Sequence, residues 1–239
     1  MSVVIVSGTG TEIGKTVVTS AVAAAALAAG RSVAVLKPAQ TGVGPDEPGD
    51  AAEAVRLAGS AVTAVELVRY PEPLAPDTAA RRAGLATLSP AEIARAAERL
   101  ATHHDLVLVE GAGGLLVRFD EAGHGLADAA RLLGAPTLVV AQAGLGTLNS
   151  TQLTAEALRA RGLSALGVVI GSWPREPDLA ARCNLADLPE VSGLPLLGAV
   201  PEGSGRLEPE EFRRAAPGWL APALSGTWSP ESFTAAWPA

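Results

Sequence analysis

The chain has 239 residues, 48% hydrophobic and 18% charged, with a formal net charge of −7; this suits one large domain with a sizeable core and excludes a largely disordered chain. The acidic balance, with no Lys/Arg run, excludes a basic nucleic-acid face, so any phosphate site must be a local positive feature. The single cysteine, Cys183, excludes an internal disulfide and a thiolate metal cluster and fits a reducing cytoplasm.

The first predicted strand, VVIVS (3–7), runs through SGTGTEIGKT into an Ala-rich helix over 15–29. The apolar stretch in that helix is too short and too interrupted for a bilayer span. It also follows a strand and turn without a basic leader, so it reads as a buried helix rather than an anchor or signal peptide. The turn departs from the phosphate-loop pattern G-x-x-x-x-G-K-[ST] by one residue, since five residues separate Gly8 from Gly14. Its working parts are intact. The glycines admit close backbone approach, the amides of the helix start face an anion, Lys15 adds a point charge and Thr16 can reach a metal on the phosphates. The bland alternative is a glycine turn before a helix, and the coincidence of strand, turn, Gly-Lys-Thr and helix argues against it.

The second strand, SVAVLKP (32–38), carries Lys37 at its end. Beside the first loop it would be poised over phosphates; alone, it reads equally as a snorkelling lysine. Thr41 follows at the same mouth. GVGPDEPG (42–49) reads as a mobile loop. Asp50, at the start of a helix over 50–58, is either an N-cap or a metal-facing carboxylate. YPEPLAPDTAARRAG (70–84) is a proline-punctuated excursion ahead of a helix over 89–102.

The strand DLVLVE (105–110) ends in Glu110, and the glycines behind it keep the backbone open to a ligand. Thr16, Asp50 and Glu110 together make the hard-oxygen set that Mg²⁺ with phosphates prefers. A helix over 126–133 and the strand PTLVVA (136–141) lead to the turn GLGTLN and a helix over 147–161. That helix start could capture a carboxylate, although Thr147 or Asn149 as a simple cap is the plainer reading. LGVVIG (166–171) and PLLGAVP (195–201) complete the strands. Beyond Gly203 lie a short amphipathic helix near 208–216 and poorly specified structure with three of the four tryptophans. His103, His104 and His124 have no third ligand spaced for zinc and read as surface residues.

Near-continuous apolar strands alternating with helices predict a single-domain, doubly wound, mostly parallel α/β sheet with its ligands at the carboxyl ends of the strands.

Four motifs, in order over most of residues 1–201, resemble those of the dethiobiotin synthetase family. GTGTEIGKT resembles the family's longer phosphate loop, KPAQTG its Lys-Pro-x-x-Ser/Thr-Gly motif, VEGAGG its acid-glycine motif and LGTLNSTQLT its substrate-tail loop. The resemblance implies a P-loop NTPase-like fold and an ATP- and Mg²⁺-dependent ligase. Such a ligase joins 7,8-diaminononanoate and CO₂ through a carbamate and a carbamic-phosphoric anhydride. It also implies a cytoplasmic homodimer acting on small molecules, with no nucleic-acid or membrane partner.

Residue by residue, the resemblance makes Lys15 and Lys37 the catalytic cations and Thr16, Asp50 and Glu110 the metal set. Glu12, Ile13, Gly14, Val17, Gly111, Ala112 and Gly113 join them around the nucleotide. Thr11, Glu12 and Thr41 line the diamine and carbamate pocket, and Gly146, Thr147, Leu148 and Asn149 bind the substrate tail across the dimer. Gly171, Ser172, Val200, Pro201 and Glu202 border the base. The family often has an Asn that reads the adenine edge where this chain has Gly171 and Ser172, which implies acceptance of ATP or another NTP. Two other readings are a partitioning-type ATPase, against which stands the lack of a lysine among Thr9, Gly10 and Thr11, and a non-catalytic nucleotide-binding module. A corrin amidating synthetase would need a glutaminase domain for which this chain is too short.

Overall fold

The computed structural model describes residues 2–238. In chain order the elements are β1 (Val3–Gly8), α1 (Lys15–Ala28), β2 (Val33–Thr41), α2 (Asp50–Ala58), β3 (Val62–Tyr70), α3 (Pro76–Ala83), α4 (Pro90–Ala101) and β4 (Leu106–Glu110). They continue with α5 (Leu126–Leu133), β5 (Thr137–Ala141), α6 (Thr147–Ala160), β6 (Ala165–Trp173), α7 (Leu179–Ser192), β7 (Leu196–Pro201), α8 (Pro209–Ala215) and α9 (Pro230–Ala236).

The seven strands form one sheet in the order β3-β2-β4-β1-β5-β6-β7, and every pairing is parallel. All residues of β4 and β5 are buried, as expected for strands covered on both faces. Helix α1 packs on α2, α4 on α5 and α6 on α7. Helix α1 is buried almost all round, from Val18 to Ala26; its run of alanines lets it lie close to its neighbours. Among the described residues, no helix is long and apolar enough to cross a membrane.

The sequence reading misses β3, α3, α7 and α9. Strand β3 is an edge strand, paired with β2. It carries Glu66 and Arg69 as an ion pair, so its hydrophobic run is broken. Helix α3 lies inside the proline-punctuated stretch, but Pro76 is at the helix start, where a missing N–H costs nothing. Helix α7 contains Pro189, which reads as a breaker. In the C-terminal region α8 is followed by short 3-10 turns and α9. There Trp173 meets Phe233 and Trp237 at ring distances of 5.2 and 5.9 Å, and Trp228 meets Phe233 at 5.4 Å.

One feature of the sheet shapes the site. Strand β2 pairs with β4 only as far as Leu36↔Val109, but with β3 as far as Thr41↔Tyr70. Beyond Leu36 it overhangs, with one side unpaired. Pro38 is tolerated there because no neighbour asks for its N–H. The overhang forms a wall of the cleft described next.

Candidate active site

The loop between β1 and α1 is bent by two left-handed residues, Glu12 at φ 58° and Gly14 at φ 90°. Glycine adopts that conformation freely; for Glu12 it is a local strain held by its surroundings. Helix α1 starts with no side-chain cap and no acidic residue in its first turn. Its first N–H groups and the positive end of its dipole are therefore left for an anion. Helices α4 and α7, by contrast, are capped, α4 by a Ser89–Glu92 capping box and α7 by Asp178. Lys15 is buried and donates to the Gly10 carbonyl at 2.6 Å. Burial, and then the nearby Lys37, lower its pKa, with Glu110 and Asp50 acting the other way.

Lys37 is not at a strand end but in the middle of β2, where the overhang begins. It is 4% exposed, which rules out the snorkelling reading. Its Nζ lies 2.5 Å from Asp50 Oδ2 and 3.0 Å from Glu110 Oε1, and donates to the Gly111 carbonyl at 3.1 Å. Burial acts against this charge, but Glu110 and Asp50 outweigh it and hold the ammonium's pKa above the ordinary lysine value. Asp50 is the first residue of α2 rather than its cap; Gly49 is the N-cap, without a side-chain bond. The Asp50 carboxylate is thus free to face Lys37.

Glu110 closes the group. Its Oε1 accepts from Thr16 Oγ1 at 2.8 Å as well as from Lys37, while its Oε2 is buried with no hydrogen-bond partner. An orphaned carboxylate oxygen beside a hydroxyl and a second carboxylate fits a divalent cation with phosphate oxygens. Among the described residues no set of three His, Cys, Asp or Glu side chains could hold a metal by itself. A cation here would therefore depend on Thr16 and on the bound nucleotide.

These groups sit in a cleft of about 770 Å³. It brings together Thr11, Glu12, Gly14, Lys15, Thr16, Val17, Lys37, Thr41, Asp50, Glu110, Ala112 and Gly113 of the sequence-predicted residues. Ile13 is buried beneath the loop, and Gly111 contributes its carbonyl to Lys37. The glycines after β4 pack on the phosphate loop: a Cβ on Gly114 would lie 3.4 Å from the Gly8 carbonyl oxygen. Pro73 to Pro76, from the proline-rich stretch, form a further wall. Sequence reasoning misses that wall, because a proline-punctuated excursion carries no chemical signature of its own. It also missed the buried Gln40, whose Oε1 accepts from the Asp50 N–H at 2.8 Å.

The remaining predicted residues lie outside the cleft. Gly171, Ser172, Val200, Pro201 and Glu202 are at the ends of β6 and β7, and the Glu202 N–H donates to the Trp173 carbonyl at 2.7 Å. Ser172, Pro201 and Glu202 are exposed, while Val200 is buried. Gly146 to Asn149 begin α6. Gly146 is the N-cap at φ 91° with no side-chain cap and no acid in the first turn, so neither Thr147 nor Asn149 caps the helix. Thr147 is buried, Asn149 is exposed and the neighbouring Leu145 is 90% exposed.

A family model described as an AAA domain matches residues 2–208. The ATP-dependent dethiobiotin synthetase BioD of Streptomyces avermitilis is 70% identical over 99% of both chains. The protein of the same name from Streptomyces coelicolor is 69% identical over 98% of both, and that of Corynebacterium kroppenstedtii is 47% identical over 97% of this chain and all of its own. Among solved structures, a ParA family ATPase from Chlorobium tepidum superposes with a TM-score of 0.57 at 11% identity, covering 94% of this chain and 96% of its own. The MinD cell division protein of Aquifex aeolicus does so with a TM-score of 0.56 at 12% identity, covering 90% and 87%. At such identities the likeness is one of fold alone.

Proposed function

The chain belongs to the ATP-dependent dethiobiotin synthetase family, and from that premise we propose how its cleft performs the ring-closing carboxylation of biotin biosynthesis. It is an enzyme of the ligase type that uses ATP. One amine of 7,8-diaminononanoate adds to CO₂ and loses a proton, giving a carbamate. The γ-phosphoryl group passes from ATP to a carbamate oxygen, and ADP leaves. The second amine attacks the carbamoyl carbon and expels phosphate together with that oxygen, closing the cyclic urea.

The observation that carries this reading is Lys37, buried between Asp50 and Glu110 beside an uncapped helix start. Phosphoryl transfer asks the protein for position and charge rather than covalent chemistry. The amides of the loop and Lys15 hold the transferring phosphoryl group. Lys37 faces the oxygen shared by carbamate and phosphate, where negative charge builds up. Thr11, Glu12 and Thr41 line the space next to it, which suits the diamine. Thr16, Asp50 and Glu110 would hold Mg²⁺, which supplies neutralising charge to the phosphate oxygens.

The base would lie over Ser172, Pro201 and Glu202, at the ends of β6 and β7. The start of α6 does not line the cleft, while its free N–H groups suit the carboxylate of the diamine. Both features support a homodimer in which this helix start serves the partner's substrate, and the exposed Leu145 suits burial in such an interface. A cytoplasmic location fits a chain with one cysteine.

The test is phosphate release from ATP with and without the diamine, in the presence of bicarbonate and Mg²⁺. Release that requires the diamine supports the synthetase; release indifferent to it would favour a simple nucleotide switch.

A further inference from the structure

Helix α2 begins at Asp50 behind a glycine N-cap that offers no side chain. The missing cap is supplied from the neighbouring strand. Gln40 is 5% exposed; its Oε1 accepts from the Asp50 N–H at 2.8 Å, and its Nε2 donates to the Thr41 carbonyl at 3.3 Å. The two residues fit together closely: a Cβ on Gly49 would lie 2.7 Å from Gln40 Oε1 and 2.9 Å from Cδ. The fit thus requires both a glycine at 49 and a glutamine at 40.

The loop ahead of α2 is held from the same place. Arg69, the register partner of Gln40 on β3, donates to the carbonyls of Gly44 and Glu47 at 2.6 Å each. With the loop tied at that end, the Gln40 bond sets where α2 starts and where the Asp50 carboxylate points, which is at Lys37 Nζ, 2.5 Å away.

We propose that Gln40 is a positioning residue of the metal-phosphate site, which caps α2 from the adjacent strand and so aims the Asp50 carboxylate. The proposal rests on Asp50 facing the metal, as read above. It follows from an orphan amide being satisfied by a buried side chain whose remaining atoms are fixed by packing.

The experiment measures Mn²⁺ binding by electron paramagnetic resonance, with a non-hydrolysable ATP analogue present, alongside thermal unfolding. Gln40→Met keeps the volume and removes the acceptor. It is expected to weaken Mn²⁺ binding about tenfold, the lower range for groups that orient a metal ligand, with a smaller effect on analogue binding without metal. Gly49→Ala, which displaces Gln40 without altering it, is expected to give the same loss. Gln40→Ala/Gly49→Ser, in which position 49 has the extended conformation of a serine N-cap (φ −97°, ψ −174°), would cap the amides of Ala51 or Ala52 and leave that of Asp50 unpaired, and is expected to recover thermal stability without recovering the Mn²⁺ affinity. Parental Mn²⁺ affinity in Gln40→Met overturns the proposal, as does a double variant that recovers Mn²⁺ affinity together with its thermal stability. If the parent protein binds no Mn²⁺ with the analogue, the metal assignment itself fails and takes this proposal with it.

Discussion

Gly14 and Gly171 press against each other across the phosphate loop. A Cβ on Gly14 would lie 2.4 Å from the Gly171 carbonyl oxygen, and a Cβ on Gly171 would lie 2.0 Å from that of Ile13 and 2.7 Å from Val140 Cγ1. Gly171 is therefore a packing residue that seats the loop on the end of β6. A side chain at 171 would run into backbone. Gly171→Asn, which would place the family's common adenine reader at this point, is expected to destabilise the protein by about 1–3 kcal/mol or more, the usual cost of overpacking. Thermal denaturation checks it. A Gly171→Asn protein of parental stability with a gain in adenine preference would show that the loop moves aside.

With position 171 closed to side chains, a base placed at this end of β6, as proposed, would meet the exposed Ser172. Sites without a dedicated buried partner reject analogues weakly, by about 100-fold or less. Comparison of kcat/KM for ATP, CTP and GTP is expected to give ratios within that range. A preference of several orders of magnitude for ATP would contradict it.

Lys37→Gln removes the cation between Asp50 and Glu110. If Lys37 acts on charge that develops during transfer, kcat should fall by about two to three orders of magnitude while the nucleotide Kd changes much less. Steady-state kinetics and equilibrium titration together decide it. A variant that loses nucleotide affinity and keeps kcat would make Lys37 a ground-state binder.

The legible parts of this site were those with local signatures. The phosphate loop, Glu110 at the end of an apolar strand and the glycines after it all lie in contiguous stretches whose spacing carries the chemistry. The sequence puts Lys37 at the end of an apolar run, SVAVLKP, whereas β2 continues to Thr41. That continuation is possible because β4 stops short, a fact of sheet register that no single segment contains. Gln40 was invisible for a similar reason. Its partner is ten residues away in the chain, and a buried glutamine in a strand has no signature of its own. Strand β3 was missed because edge strands need no continuous apolar run.

At the start of α6, a Cβ on Gly146 would meet nothing within 4 Å, but its φ of 91° disfavours any branched residue. Gly146→Val is expected to raise KM for the diamine and leave nucleotide binding nearly intact, since the turn does not line the cleft. A diamine lacking the carboxylate should bind the parent poorly and the variant about equally poorly. Leu145→Asp should convert a dimer to monomer in analytical ultracentrifugation. A parent that treats both diamines alike, or sediments as a monomer, would contradict cross-subunit binding.

The most direct measurement follows one oxygen atom. If the carbamate is phosphorylated, the oxygen bridging carbon and phosphorus originates in CO₂ and departs with phosphate when the ring closes. Single-turnover reactions with C¹⁸O₂ in unlabelled water, stopped before exchange with solvent, should release phosphate carrying one ¹⁸O for each dethiobiotin formed. Dethiobiotin formed with unlabelled phosphate would show that the nucleotide is hydrolysed by water and that the cleft does not join the two halves of the reaction.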